Sequence, residues 1–420
     1  METGEVAEET RAALREPPDA LERRSRGRPA GPRAQVDARR AAAETLLVFA
    51  AVLAVYLAAT PRTNQAYRHF VYQADAFLHG HVDLRGLPAY YHDVVHLDGK
   101  VYAPFPPVPA VLLLPLVAVA GTDLDQGRVG QVLAALAVAV FTAGLRRLGL
   151  SRAVRLCTAA ALAFGSVLWP ATAIGTTWFF AQVVVVLAAA ALVWELAGPA
   201  RGAVAGALLT AAWLSRVSLL PAVPAVALSL WTRHRRPAAL WAFAAVQAVG
   251  LLVYLAFNQA RFGDPLQPGY RLLTMGAPNA EAVARWGFFD VRYIPQHLYA
   301  MFFQGPELVE APPFLRPSPW GLALVFTSPL AARLLFTPPP REAWWPWGAF
   351  VLTLALPMLA YFSVGWVQFG YRYSLDWWVF LLVPLAYALR PAPRLVDYLL
   401  LAAGIAMNAL GVYWVHRLGW

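Results

Sequence analysis

Apolar residues in this chain gather into long runs, split by short basic turns and by three longer polar stretches. Runs such as AAAETLLVFAAVLAVYLAAT at 41–60 and VLTLALPMLAYF at 351–362 set the pattern. A helix rising about 1.5 Å per residue needs about 20 apolar residues to cross a hydrocarbon core roughly 30 Å thick. The pattern therefore predicts an all-α fold, a polytopic transmembrane helix bundle of about eleven crossings with structured extracytoplasmic loops. The crossings are expected near 41–60, 128–145, 156–173, 176–197, 202–215, 217–231, 238–257, 319–336, 344–362, 375–389 and 395–415. Those between 202 and 231 are short, which points to a tilted or broken hairpin. The run at 104–120 differs, because Pro104, Pro106, Pro107 and Pro109 crowd its start. It is expected to be half-inserted or re-entrant, with protein covering its free backbone groups.

Composition agrees with this choice of solvent. Hydrophobic residues make up 59% of the 420 and charged residues only 14%, where a soluble domain carries about 25% charged. The net charge of +10 does not point to nucleic acid, because the arginines cluster at the ends of apolar runs. RRLGLSRAVR at 146–155 and TRHRRP at 232–237 are the strongest clusters, supported by Arg201, Arg341, Arg390 and Arg394. Placing them inside the cell puts 61–103, 258–318 and 363–374 outside, provided that 104–120 does not cross fully. Residues 1–40 hold nine arginines without apolar periodicity and are expected to be a disordered cytoplasmic tail ahead of a membrane domain at 41–420. That charged region is too long for a cleavable signal peptide. Cys157 is the sole cysteine, so no intrachain disulfide forms.

Candidate chemistry concentrates in the outer segments, where structured loops carry function. In NQAYRHFVYQADAFLHG at 64–80, Tyr67, Phe70, Val71, Ala74, Phe77 and Leu78 fall at helical spacing, with Asn64 as a start and Gly80 as a stop. The opposite face carries Arg68, Tyr72, Asp75 and His79. One reading is an amphipathic helix on the membrane surface with its polar face solvated. The sharper one makes Asp75 a general base oriented by Tyr72 and His79. Further on, Asp98-Gly99 between β-prone stretches is a strong hairpin signal, and it delivers Lys100 and Tyr102 to the membrane edge.

An outer loop with an acid-bearing helix, then a lysine, then FPPVPAVLLLP at 105–115, resembles the GT-C superfamily of polytopic membrane glycosyltransferases, such as protein O-mannosyltransferases, lipid A aminoarabinose transferases and bacterial surface-glycan transferases. FNQARFGDPLQPGY at 257–270 and WVQFGYRYSLDWWVFLLVP at 366–384 extend the resemblance. It implies a bacterial-type plasma-membrane enzyme that takes a sugar from a polyprenyl-phosphate donor, with inversion, and gives it to an extracytoplasmic glycan, lipid or protein acceptor. The acid of the first outer loop then serves the reaction. Asp75 stands in its place without a neighbouring acid, so Asp83 and Asp93 stay open as alternatives, and Lys100 is only loosely spaced from the prolines.

Such chemistry asks for a carboxylate to take the acceptor proton and for cations on the leaving phosphate, with no cofactor and no metal. The candidate phosphate ligands are Lys100, Arg216, Arg261 and Arg372. Each has a plainer alternative: an interfacial turn for Arg216, a solvated loop position for Arg261, and a structural ion pair with Asp376 for Arg372. The acids of TDLD at 122–125 are expected to be solvated, and the tryptophans at 344–347 and 377–378 to form interface belts. A transporter or flippase of a lipid-linked sugar is the competing function, and a catalytically silent assembly partner a third. Coupled transport favours acids within crossings, whereas the runs here are nearly acid-free, Glu195 and Asp376 lying near ends.

Overall fold

The computed structural model describes residues 32–235 and 237–419. It is predominantly helical. In order come α1 (Pro32–Ala59), α2 (His69–Leu78), the strands β1 (Val95–Leu97) and β2 (Lys100–Tyr102), α3 (Val108–Ala120), α4 (Gln126–Arg147), α5 (Arg152–Ala163) and α6 (Leu168–Ile174). Then follow α7 (Thr177–Leu196), α8 (Gly202–Trp213), α9 (Val223–His234), α10 (Pro237–Phe262), α11 (Ala277–Trp286), α12 (Ile294–Phe302), α13 (Trp344–Thr353), α14 (Leu375–Ala388) and α15 (Leu395–Leu418). Residues 47–420 form one compact unit. Of the tail expected at 1–40, residues 1–31 lie outside the described residues and 32–40 are the first turns of α1.

Among the described residues, six helical segments are long and apolar enough to cross a membrane: Val36–Ala59, Gln126–Arg147, Arg152–Ile174, Thr177–Leu196, Pro237–Phe262 and Leu395–Leu418. Their outward residues suit lipid, as Trp241 and Leu252 on α10 and Leu399 on α15 show by their exposure. The other expected crossings are shorter or broken. Prolines account for several breaks, since each removes a backbone donor and crowds the preceding turn. Pro221 sits in a 3-10 turn before α9, Pro329 in another at Pro329–Ala332, and Pro357 in the single π turn that ends α13. The tryptophan belt expected at 377–378 is corrected, because both rings are fully buried in the core of α14.

The two ends of the bundle differ in chemistry. At one end Arg147 donates to the Trp194 carbonyl, Arg233 to that of Leu196 and Ser151 to that of Pro391, while Arg201 pairs with Glu195 and Arg333 with Asp397. The arginine-rich turns therefore meet. At the other end the three polar segments meet: Arg261 reaches the carbonyls of Ala103 and Phe105, and His297 Nδ1 lies 2.7 Å from the Tyr371 hydroxyl.

Helix α3 keeps both its ends at this second end. The Phe105 ring lies 5.4 Å from His69, while the Thr122 and Leu124 carbonyls accept from the Arg68 guanidinium. A full crossing would separate these points by about 30 Å. Asp125 caps α4 and accepts from Thr63, so that acid of the TDLD stretch is engaged in local structure.

Candidate functional site

The first outer loop folds around a buried histidine. Helix α2 starts at His69, later than expected, because Asn64 turns the chain by accepting from Ala66 N–H; Gly80, at φ +74°, ends it. It does not float on a surface: His69, Phe70, Val71, Tyr72, Gln73, Ala74 and Ala76 are all buried. His69 Nε2 faces the His92 carbonyl at 2.9 Å and Nδ1 faces the Thr177 hydroxyl at 3.0 Å. A carbonyl only accepts, so Nε2 carries the proton, while Nδ1 lies against a Thr177 hydroxyl that also faces the Tyr67 carbonyl at 2.9 Å. Burial pushes this imidazole down to about 4, keeping it neutral at pH 7.

By holding residue 92, His69 positions Asp93, whose φ of +57° lies in the left-handed region that aspartate tolerates better than most residues. Asp93 Oδ2 accepts from the Trp178 indole at 3.0 Å, and Oδ1 lies 3.5 Å from His92 Nδ1. Burial acts to raise its carboxyl, but His92, His69 and the indole N–H outweigh it and hold Asp93 below the usual carboxylate range. Rings surround it, with His92 stacked on Trp178 at 5.2 Å and Tyr67 5.3 Å from Trp178.

The other two polar segments bring cations and hydroxyls. Asp376, 0% exposed, takes Arg216 Nε at 2.7 and 2.9 Å and the Ser218 hydroxyl at 2.6 Å. This corrects the pairing of Asp376 with Arg372. Only Nε is used, so the terminal nitrogens of Arg216 have no acceptor among the described residues, and the side chain stays 21% exposed. Arg372, half-buried, has its guanidinium 5.0 Å from the Phe179 ring and 5.5 Å from the Tyr373 ring, with no carboxylate partner among the described residues. Arg216 approaches the same Tyr373 ring at 5.4 Å. Gly370, two residues before Arg372, packs against Val167 and Thr327, where a side chain would clash.

Trp178, which holds Asp93, is followed by Phe179, whose ring faces the Arg372 guanidinium at 5.0 Å. Burial pushes the Tyr270 hydroxyl up to about 12, with Arg216 pulling it down and Tyr254, Tyr373 and Asp93 adding to the rise. The hydroxyls of Tyr270, Tyr361 and Tyr373 make no hydrogen bond among the described residues. The cluster thus holds a carboxylate flanked by Trp178 and His92, two guanidinium groups whose terminal nitrogens have no acceptor among the described residues, and three hydroxyls without a hydrogen bond among those residues. Such a set suits a phosphate with a hydroxyl-bearing group attached.

The remaining sequence candidates sit elsewhere. Asp75 lies beside His79 at 3.6 Å at the end of α2, with His79 Nδ1 also 2.9 Å from the Asp75 carbonyl, while Tyr72 is turned into the protein against Tyr91. Asp83 accepts from Arg85 at 3.2 Å, and Lys100 is exposed on β2, where its charge acts on Asp83. Arg261 is not a solvated loop residue: it is 2% exposed in the last turn of α10 and donates to Phe257, Ala103 and Phe105 carbonyls and to Asn258 Oδ1. It clamps the proline-rich approach to α3.

His297 repeats the device of His69, with Nδ1 2.7 Å from the Tyr371 hydroxyl, Nε2 2.8 Å from the Tyr361 carbonyl, and burial pushing it down to about 4. Below an ordinary pKa of about 6.5 the unfolded chain takes up protons at these two positions, while the folded chain does not until about 4. Folding stability is therefore full above about pH 6.5 and falls as pH drops towards 4. Thermal unfolding in detergent should show a lower Tm at pH 5 than at pH 7.5, with a smaller drop in His297→Gln. An equal Tm at both pH values would count against neutral histidines.

Comparison with known proteins adds no family: no protein-family model, curated protein or solved structure matches the chain.

Proposed function

We propose that the chain is a membrane glycosyltransferase, moving a sugar from a polyprenyl-phosphate donor to an extracytoplasmic acceptor with inversion, and that Asp93 is its general base. One arrangement carries this reading: Trp178 holds the Asp93 carboxylate while its neighbour Phe179 lies 5.0 Å from the Arg372 guanidinium, which shares the Tyr373 ring with Arg216. The acceptor oxygen attacks the anomeric carbon while its proton passes to Asp93. The bond from that carbon to the phosphate oxygen breaks and its electron pair leaves with the phosphate. Arg372 and the terminal nitrogens of Arg216 meet the charge that grows there. Asp93 replaces Asp75 in the role because Trp178 holds it next to the Phe179 ring that faces Arg372, whereas Asp75 lies beside His79.

The topology proposed with it has about eleven passes, the arginine-rich turns inside and 61–103, 258–318 and 363–374 outside a bacterial-type plasma membrane. His96→Cys and Ala153→Cys, both at exposed positions, test it with an impermeant thiol reagent on intact cells. Labelling is expected at 96 only; equal labelling at both would sink the orientation.

Lysine in place of Arg372 keeps the charge but loses the planar fork, so Arg372→Lys should weaken donor binding by about tenfold. Unchanged donor affinity in a folded Arg372→Ala protein would show the assignment to be wrong. The function itself is tested by mixing the purified protein with a lipid-linked sugar and candidate acceptors. Release of free polyprenyl phosphate with a glycosylated acceptor is expected. Movement of intact lipid-linked sugar across vesicles, without release, would instead favour a carrier, which needs the cations but no base.

A further inference from the structure

Helix α12 presents an apolar face left uncovered among the described residues. Its sequence, IPQHLYAMF, holds no Asp, Glu, Lys or Arg. His297, Ala300 and Met301 turn inwards, where His297 meets Tyr371. Leu298, Tyr299 and Phe302 are exposed, and Phe303, just past the helix, is 70% exposed and stacks on Tyr299 at 6.4 Å. A water-facing side would carry polar residues at these positions. The chain then forms a hairpin of β3 (Glu307–Leu308) and β4 (Leu315–Arg316), with Glu307 opposite Arg316 and Leu308 opposite Leu315. Partners in register share a face, and successive residues alternate between faces. One face therefore holds the Glu307–Arg316 ion pair at 2.6 Å, and the other holds Leu308, 85% exposed. Phe314 adds an exposed ring just before β4.

The level of these residues along α15 decides what meets them. Helix α15 is one of the segments able to cross a membrane, and its 24 residues rise about 36 Å against a hydrocarbon core of roughly 30 Å. Its last turn therefore lies at the membrane boundary. The Trp414 indole N–H donates to the Leu315 carbonyl at 2.7 Å, about 6 Å short of the end of the helix. The Ala323 N–H donates to the Gln304 carbonyl, and the Thr327 carbonyl takes Asn408 of α15, about 15 Å short of that end. The chain from Gln304 to Thr327 thus runs beside the last turns of α15. We propose that α12 and the hairpin form an anchor in the lipid of the leaflet at this end, with Leu298, Tyr299, Phe302, Phe303, Leu308 and Phe314 set at the boundary of heads and acyl chains. Aromatic rings are favoured at that depth, and helices lying in this layer sink about 5–10 Å into it. Helix α2 differs, since it buries its apolar residues in protein. On the inward side of α12, His297 holds both Tyr371 and the Tyr361 carbonyl, so the bilayer surface would set the height of the segment that carries Arg372. The inference is independent of the sugar-transfer reading.

Fluorescence quenching on the full chain in phosphatidylcholine nanodiscs tests it. Cys157 is buried, so a single added thiol takes the dye. A dye on Phe302→Cys or Leu308→Cys, both exposed positions, should lose its fluorescence to a lipid nitroxide near the top of the acyl chains and little of it to iodide in the water. On Arg285→Cys, at an exposed charged position of α11, the loss should come from iodide. Iodide quenching at 302 or 308 equal to that at 285 would overturn the proposal, the face then standing in water and open to a protein partner. Protection from both quenchers would overturn it too, since a second copy of the chain would then cover the face.

Discussion

Replacing Asp93 with asparagine is expected to slow sugar transfer by about 10²–10⁴-fold, or roughly 3–5 kcal/mol of barrier, while leaving donor binding nearly unchanged. The amide oxygen can still accept from the Trp178 indole, so the ring cluster around residues 67, 92 and 178 keeps its anchor. What is lost, on the proposed mechanism, is the ionised carboxylate that would take the acceptor proton. Asp75→Asn and Asp83→Asn serve as controls, because those carboxylates face His79 and Arg85. Both should transfer at close to the wild-type rate. Loss of transfer in Asp75→Asn alone would return the role to the helix acid. Wild-type rates in all three variants would defeat the glycosyltransferase reading.

The second large effect concerns the Arg216–Asp376 pair. Removing one partner of a buried ion pair leaves a charge without compensation and typically costs about 3–5 kcal/mol. Asp376→Asn should therefore lower stability by that order, because Arg216 loses the carboxylate that grips its Nε. Replacing both partners, as in Arg216→Met with Asp376→Leu, should recover most of the loss, since well-packed apolar residues often substitute for a buried pair without penalty. Donor binding should not recover, because the terminal nitrogens are gone. Thermal unfolding and donor affinity measured on the same three proteins separate the two roles. A double variant that binds donor as well as wild type would remove Arg216 from the site.

Some of this was legible in sequence because its causes are local. The Asp98-Gly99 turn closes a hairpin in which Val95 faces Tyr102 and Leu97 faces Lys100, with Asp98 and Gly99 both at positive φ. Apolar runs gave the long helices, and the arginine clusters anticipated which turns gather at one end. The site depended on distance along the chain. Asp93 acquires its meaning from Trp178, 85 residues away, and Arg216 from Asp376, 160 away. Without those partners Asp75 looked better placed than Asp93, since helical spacing was the only geometry in view. Arg261 was misjudged for a related reason: its partners are mostly backbone carbonyls, which leave no mark in residue types. Tyr270 and Tyr361 carried no motif at all.

The grip of Asp376 on Arg216 also shapes how a turnover would end. With Asp93 ionised, the four charged groups Arg216, Arg372, Asp93 and Asp376 sum to zero. A sugar phosphodiester brings one negative charge. When the sugar departs, Asp93 holds the proton and the phosphate, now a monoester, gains the second negative charge. The total is unchanged, but negative charge has moved from the carboxylate towards the guanidinium groups. On the proposed mechanism the spent carrier would be held more firmly than the loaded one until Asp93 sheds its proton. Because Asp93 is held below the usual carboxylate range, it sheds that proton readily near neutral pH, and product inhibition by polyprenyl phosphate should strengthen only as pH falls into the acid range.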